Sequence, residues 1–446
     1  MNATVLSLTE SICPVCLRQL PAQRVAEDDG VYLCKHCPEH GEFRTIVWRG
    51  LDGYAAWGAE HRPPALPGPH ETEVSQGCPL DCGICAGHRQ HSCCVLVEVT
   101  ARCNLRCPVC FAAAGSHQAD PPLADVRHIL ETLYARSPQV NVQLSGGEPT
   151  VRNDLPAIVA LARAIGFGFV QVNTNGIRLG REAAYAAQLA QAGLDCVFLQ
   201  FDTLDGATSR TIRGLDLVAR KEAAIEHCRQ AGLGVVLVPT LLPANMTEVG
   251  ALIDFAARHT PTVRAIHFQP VSYFGRYPAA PADEDRITLP DVLRAIEAQT
   301  GGTVCAADFR PGSTENPYCS FSGSFFVDAG QRLRPNGNST CGCGDGRTAQ
   351  SVVARKWSAP AETGQSSSPC CATGINIVSL DAFLASRRRS LSISAMAFQD
   401  AWTLDLDRLR DCYIHVVGPD SRIIPFCAYN LTAQSGQPLY RARDGR

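Results

Sequence analysis

Three cysteines constrain this chain more than any other feature. Cys103, Cys107 and Cys110 lie within residues 98–112, EVTARCNLRCPVCFA, with three and then two residues between them. Thiolates so spaced on one tight loop can hold three corners of a cubic iron–sulfur cluster. No cysteine of the motif supplies the fourth corner. One iron therefore keeps an open position for a small chelating molecule, as a catalytic metal does. The preceding VLVEVT is rich in β-branched residues, which places the loop at the C-terminal end of a first strand.

Composition agrees with metal ligation. The chain has 446 residues, which suggests roughly three domains at about 150 residues each. Its 22 cysteines fall partly into CxxC and CxxxCxxC groups. In a long chain that pattern indicates thiolate–metal sites in a reducing cytosol, not a disulfide scaffold. A cytoplasmic, oxygen-sensitive protein is expected. Net charge is −3, so no broad basic field points to nucleic acid. The opening MNATVLSLTESICPVC lacks a charged region followed by an apolar run, so no signal peptide is expected. No apolar stretch reaches the roughly 18 residues of a membrane span.

Residues 1–50 are expected to form a ribbon on two CxxC pairs, Cys13/Cys16 and Cys34/Cys37. Four sulfurs so placed can enclose zinc, or a rubredoxin-like iron, and the ion would supply much of the folding energy. With four cysteines available, His36 and His40 read as surface residues. Residues 51–94 hold the linker HRPPALPGPH and a second three-then-two motif, Cys78, Cys82 and Cys85. Cys93 or Cys94 can close a fourth corner. Adjacent extended residues point opposite ways, and Cys94 begins the strand, so Cys93 is preferred. Such a closed cluster suits electron transfer. His88 and His91 are either donors to its sulfurs or solvated loop residues.

From 95 to 300 the pattern alternates. Six short apolar runs (VLVEVT, VNVQLS, FVQVN, CVFLQF, GVVLVPT, AIHFQP) are separated by helical patterns such as LPAIVALARAIG. Repeated βα units make a parallel sheet whose ligands bind at the C-terminal strand ends. The remaining motifs fall there. In Ser145-Gly146-Gly147-Glu148-Pro149 the paired glycines allow close backbone approach to a ligand. Asn173 and Asn175 end the third run, Asp202 the fourth and Gln269 the sixth. Each can contact a nucleoside or substrate, against the plainer readings of turn, helix cap or loop residue. Arg210 and Arg213 read rather as surface cations. Cys196 and Cys228 fit the core.

Residues 301–446 change character. Cys305, Cys319, Cys341, Cys343, Cys370, Cys371, Cys412 and Cys427 are dispersed among Gly, Ser, Pro and Asn, and WSAPAETGQSSSPCC resembles a surface loop. DCYIHVVGPDSRIIPFCAYN reads as a hairpin that can bring Cys412 and Cys427 together. With Cys319 they can form a further cluster, its fourth ligand open between Cys305, Cys341 and Cys343.

CNLRCPVC resembles the radical SAM enzymes. Their 4Fe-4S cluster chelates S-adenosylmethionine, and one electron splits the sulfonium to give a 5'-deoxyadenosyl radical. The resemblance implies an α/β fold with a partial (βα)6 TIM-like barrel. It assigns Gly146, Gly147, Glu148 and Pro149 to the motif that receives the methionine amino group. The whole arrangement, with the ribbon, CPLDCGIC and a terminal IIPFCAYN, looks like the archaeal tetraether lipid synthases and the class D radical SAM methyltransferases that act on a pterin. Carried over, Cys13, Cys16, Cys34 and Cys37 hold one metal. Cys78, Cys82, Cys85 and Cys93 hold an auxiliary 4Fe-4S cluster, Cys103, Cys107 and Cys110 the SAM cluster, and Cys319, Cys412 and Cys427 a C-terminal one. Upstream of Cys319, RPGSTENPY stands where a cysteine is expected.

The implied activity is hydrogen abstraction from an unactivated carbon and C–C bond formation, either lipid coupling or methyl transfer to a pterin-like substrate. A reductant such as flavodoxin or ferredoxin is implied. A lipid enzyme needs a long apolar tunnel, a pterin enzyme a compact polar pocket. Two other readings are a peptide-modifying maturase and a non-catalytic electron carrier or sensor. The maturase is disfavoured because one cluster motif precedes the barrel. The carrier is disfavoured by the intact cysteine and Gly-Gly-Glu set.

Overall fold

The computed structural model describes residues 3–28, 30–59, 72–115, 119–312, 314–336, 346–359, 389–418 and 420–441. Cys341, Cys343, Cys370 and Cys371, the Pro-rich linker HRPPALPGPH and most of the WSAPAETGQ segment lie outside them. The N-terminal ribbon is an antiparallel meander of β1 (Thr4–Ile12), β2 (Gln19–Glu27), β3 (Gly30–Cys37) and β4 (Gly41–Arg49). Strand alternation sorts β3 into two faces. Val31, Leu33, Lys35 and Cys37 are buried, while Tyr32, Cys34 and His36 point the other way. Lys35 docks the ribbon on the C-terminal region. Its Nζ donates to Ser11 Oγ at 2.9 Å and to the Ala401 and Trp402 carbonyls at 3.0 and 2.9 Å. After the short helix α1 (Tyr54–Ala59), Trp48, Tyr54 and Tyr318 pack as an aromatic group on the same junction.

The six apolar runs become parallel strands: β5 (Cys94–Thr100), β6 (Asn141–Gly146), β7 (Val170–Thr174), β8 (Cys196–Gln200), β9 (Gly234–Val238) and, after the two-residue β10 (Thr240–Leu241), β11 (Val263–Pro270). Between them run α2 (Leu123–Arg136), α3 (Leu155–Ile165), α4 (Ile177–Arg181), α5 (Ala183–Gln191), α6 (Gly206–Arg213), α7 (Val218–Gln230) and α8 (Val249–Arg258). In α3 the 3.6-residue period buries Leu155, Ile158, Val159 and Ala162 on one stripe. Gly166, at φ 121°, ends it with an N–H to the Ala162 carbonyl. That stripe packs on Val142, Leu144, Val170 and Val172, so alternation turns Gln143, Ser145, Gln171 and Asn173 into the lumen.

The six-strand expectation is met, and the last third of the chain extends it at both edges. β15 (Ser390–Met396) adds parallel to β11 and pairs antiparallel with β13 (Ser320–Val327), which also pairs with β12 (Arg310–Pro311) and β14 (Leu333–Pro335). At the other edge β16 (Ile414–Val417) adds parallel to β5 and forms the expected hairpin with β17 (Ile423–Pro425). Both barrel edges are thereby paired. After α9 (Leu289–Gln299), α10 (Gly346–Trp357) closes the N-terminal mouth. Asn141 Nδ2 donates to the Gln350 carbonyl at 3.1 Å, and Gln350 Nε2 to the Ser92 carbonyl at 2.6 Å. Trp357 packs against Phe198 and His267 inside the lumen. Among the described residues no helix is long and apolar enough to cross a membrane.

Candidate active site

The loop after β5 brings Cys103, Cys107 and Cys110 together around Leu105, Ile177 and Leu217. Leu105 N–H donates to Cys103 Sγ at 3.4 Å. Burial, helped by the charges of Glu148, Cys110 and Cys107, pushes the Cys103 thiol up to about 12. Such a thiol gives up its proton readily only to a cation that takes the proton's place. Three converging thiols without a fourth from the same loop are the donor set a cluster with one uncommitted iron requires.

Neighbouring strand ends hold this loop by backbone contacts. Gly147 N–H donates to the Thr100 carbonyl and Glu148 N–H to that of Arg102, both at 2.8 Å. A Cβ on Gly146 would overlap the Thr100 carbonyl oxygen, and one on Gly147 that of Arg102. The two glycines thus let the cluster loop lie directly on the β6 turn. Glu148 is buried and heavily bonded. Its Oε1 accepts from Thr150 N and Thr174 Oγ1 at 3.1 and 2.6 Å, and its Oε2 from Asn175 N at 2.7 Å. Asn175 Nδ2 then donates to Asn104 Oδ1 at 2.7 Å, tying the end of β7 to the cluster loop. Arg276, beyond β11, grips the loop from the other side. Its Nε donates to the Cys107 carbonyl at 2.9 Å, and its backbone exchanges hydrogen bonds with Cys110. The sequence signal for Arg276 and Asn104 is weak, since neither carries recognisable chemistry by itself.

Gly146, Gly147, Glu148, Pro149, Asn173, Asn175 and Asp202 gather at the C-terminal ends of β6–β8, and Gln269 at that of β11. Asn173 and Gln269 are half-buried on the lumen face. Asp202 and Arg213 differ from expectation. Asp202 is 1% exposed and bound bidentately by Arg213, Nε to Oδ2 at 2.8 Å and Nη2 to Oδ1 at 2.6 Å. Lys221 Nζ at 3.4 Å and Thr240 N–H at 3.0 Å complete the set. Turning the Gln200 amide lets its oxygen accept from the same guanidinium. Asp202 is therefore committed to protein donors, and Arg213 is a buried cation, not a surface one. On the other rim Arg441 Nη1 donates to Glu98 Oε2 at 2.7 Å and its guanidinium covers Tyr429.

Outside the Cys103–Cys110 loop, Cys78, Cys82 and Cys85 share a loop wound around Asp81, whose Oδ2 accepts from the Ser75, Gln76 and Gly77 amides. The Cys82 thiol is pushed up by its contact with Cys78, by burial, and by the charges of Cys78, Cys85 and Cys412. Cys93 is buried beside Cys94 and Glu315. Cys94 turns into the lumen, and its Sγ donates to Gln143 Oε1 at 3.8 Å. Cys319 takes both Nε and Nη2 of Arg408 at 3.4 Å, with Cys412 and Cys427 nearby. Glu315 is buried within RPGSTENPY, accepting from Ser320 Oγ. Cys305 is bonded to the Gly302 carbonyl at 3.1 Å.

In the ribbon the side chains that come together differ by one residue from the expected set. Cys13, Cys16, Cys37 and His40 have ligand atoms within 4.8 Å of one another. His40 Nδ1 lies 3.6 Å from Cys13 Sγ and 3.4 Å from Cys37 Sγ. Cys34 is excluded because Cys34 to Cys37 is extended strand, not a knuckle. Residues three apart on a strand face opposite sides. His40 follows the turn after Cys37 and reaches back. Three thiolates and an imidazole in this arrangement can hold zinc.

Two family models match: the HMPTM N-terminal zinc ribbon domain over residues 5–49 and the radical SAM superfamily over residues 97–256. The chain is 34% identical to the 7,8-dihydro-6-hydroxymethylpterin dimethyltransferase of Methanocaldococcus jannaschii, over 95% of this chain and 93% of that one. It is 30% identical to a GTP 3',8-cyclase of Chlorobaculum tepidum, over 46% of this chain and 64% of that one. It is 34% identical to a mycofactocin maturase of Mycobacterium ulcerans, over 40% of this chain and 47% of that one. The chain is a radical SAM enzyme and, over nearly its whole length, belongs to the family of the 7,8-dihydro-6-hydroxymethylpterin dimethyltransferase.

Proposed function

We propose that this enzyme transfers methyl groups to carbon of a reduced pterin. The full-length likeness to a pterin dimethyltransferase carries the reading. The lumen supports it against lipid coupling. Along β5–β7 it presents Glu98, Gln143, Ser145, Gln171 and Asn173 beside Cys94 and Leu96, and along the adjoining β8 and β9 Phe198, Val236 and Val238. A hydrogen-bonding surface that runs on into an apolar one suits a flat heterocycle and does not make a long hydrocarbon tunnel.

Cys103, Cys107 and Cys110 would hold the 4Fe-4S cluster, and the Gly146–Glu148 turn, Asn173 and Gln269 would face S-adenosylmethionine or substrate. When bound, these groups supply one-electron cleavage of the sulfonium and a radical able to take hydrogen from an unreactive carbon. Asp202 holds Arg213, whose guanidinium lies against Cys107, and Asn175 holds Asn104, so both would position the cluster loop. α10 closes the far mouth of the barrel, which keeps bulk water from a reactive centre. Cys78, Cys82 and Cys85 with Cys93 or Cys412 would hold one auxiliary cluster, and Cys319, Cys427 and Cys412 are candidates for another. A flavodoxin or ferredoxin would deliver electrons.

The test is anaerobic. Reconstituted enzyme with dithionite and S-adenosylmethionine should release 5'-deoxyadenosine, and Cys107→Ala should abolish it. Added 7,8-dihydro-6-hydroxymethylpterin should gain one or two methyl groups by mass spectrometry. A fully loaded enzyme that cleaves S-adenosylmethionine yet leaves the pterin unmodified would refute the substrate assignment.

A further inference from the structure

Gln143 and Gln171 are register partners on the lumen faces of β6 and β7. They are 7% and 1% exposed. They sit one strand layer below Ser145 and Asn173, away from the cluster loop. Gln171 Nε2 donates to Gln143 Oε1 at 2.8 Å, and also lies 3.8 Å from Cys94 Sγ. Gln171 Oε1 has no partner among the described residues. A buried amide oxygen left unpaired is unfavourable, so natural interiors rarely keep one without a purpose.

Two primary amides joined by one hydrogen bond leave a free carbonyl oxygen on one and a free N–H on the other. Turning both amides over preserves that count, so the conclusion does not depend on how O and N are assigned. An acceptor beside a donor matches a lactam edge, a ring N–H next to a carbonyl. On the adjacent strand β8, Phe198 is the register partner of Asn173, and with Trp357, ring centres 5.5 Å apart, it forms an apolar surface beside the glutamines against which a flat ring can lie.

We propose that Gln143 and Gln171 form the specificity pair that reads the pyrimidinone edge of the pterin, accepting from its ring N–H and donating to its carbonyl. This rests on the pterin reading above. A site built to hydrogen-bond an N–H discriminates strongly against an analogue that lacks it, because its own buried polar atom is then unpaired.

The experiment uses cluster-loaded enzyme with S-adenosylmethionine and two probes, 7,8-dihydro-6-hydroxymethylpterin and its N3-methyl analogue. Wild type should bind the first at least about tenfold tighter. Gln171→Met and Gln143→Met, nearly isosteric, should each weaken pterin binding by about tenfold and bring the preference toward unity. The change that S-adenosylmethionine causes in the cluster's EPR spectrum should be unaltered. Gln143→Glu, which keeps size and polarity but leaves no free donor, should behave alike and serves if the methionine variants fail to load. Wild-type affinity and preference in a loaded variant would overturn the inference and leave the pterin reading standing. No pterin binding by an active wild type would overturn both.

Discussion

Asp202→Asn separates two roles for a carboxylate at the end of β8. If Asp202 faced a ligand, the variant would lose S-adenosylmethionine affinity and keep its stability. The structure makes the opposite demand. Asp202 is enclosed by Arg213, Lys221 and the Thr240 amide. Removing one member of a buried, hydrogen-bonded ion pair leaves the other charge uncompensated and costs about 3–5 kcal/mol. Linkage gives a similar scale. Against the cost of burial, the charges of Arg213 and Lys221 hold the Asp202 carboxyl down at about 2, below its ordinary 3.8. A depressed acid contributes stability that is fully present above the unfolded value and is lost as pH falls through about 2, here about 2–3 kcal/mol. Urea unfolding of the apoprotein at pH 7, anaerobic and followed by far-UV circular dichroism, should show the deficit as a lower midpoint. Adding Arg213→Met should recover part of it, with a coupling energy of about 2 kcal/mol or more. Lys221, whose charged form burial already disfavours, can shed its proton in that background. A wild-type midpoint in Asp202→Asn, with S-adenosylmethionine affinity lost instead, would refute this account.

Three further outcomes are expected. His40→Ala should lower the bound metal of the ribbon well below one equivalent, whereas Cys34→Ser should leave it unchanged; metal analysis of purified protein decides. Gly147→Ala should cut iron incorporation at the Cys103–Cys110 loop, because the new methyl must displace the Arg102 carbonyl; the 4Fe-4S absorbance and EPR signal report it. Burial lowers Lys35 to about 7 from 10.5. Between those values the unfolded chain holds more protons, so stability should rise with pH through that window. Lys35→Met should flatten the rise, measured as the difference between wild-type and variant urea midpoints at pH 7 and 9.

Much of the barrel is legible before any coordinates. Alternating apolar runs and amphipathic stretches are local patterns set by periods of 2 and 3.6, and β5 to β11 follow them. What is not legible is how the sheet is extended at its two edges. β15 and β16 are far along the chain from their partners β11 and β5, and strand pairing depends on chain excursions that local pattern does not encode.

The same division runs through the sites. Cys103, Cys107 and Cys110 are brought together by a loop a few residues long, so their spacing alone specifies the convergence, and Gly146-Gly147-Glu148 follows from its place after a strand. The ribbon shows the limit of spacing. CxxC chelates when it turns, and Cys34–Cys37 instead runs extended in β3, so pairing with β2 and β4 turned Cys34 away and admitted His40. Asp202 shows it again, since whether a carboxylate meets a ligand or a cation depends on what α6 brings back over it, and α6 brought Arg213. Local chemistry and period are written in consecutive residues. The partner of each buried charge is decided only when distant segments pack, because burial makes an unpaired charge too costly to leave alone.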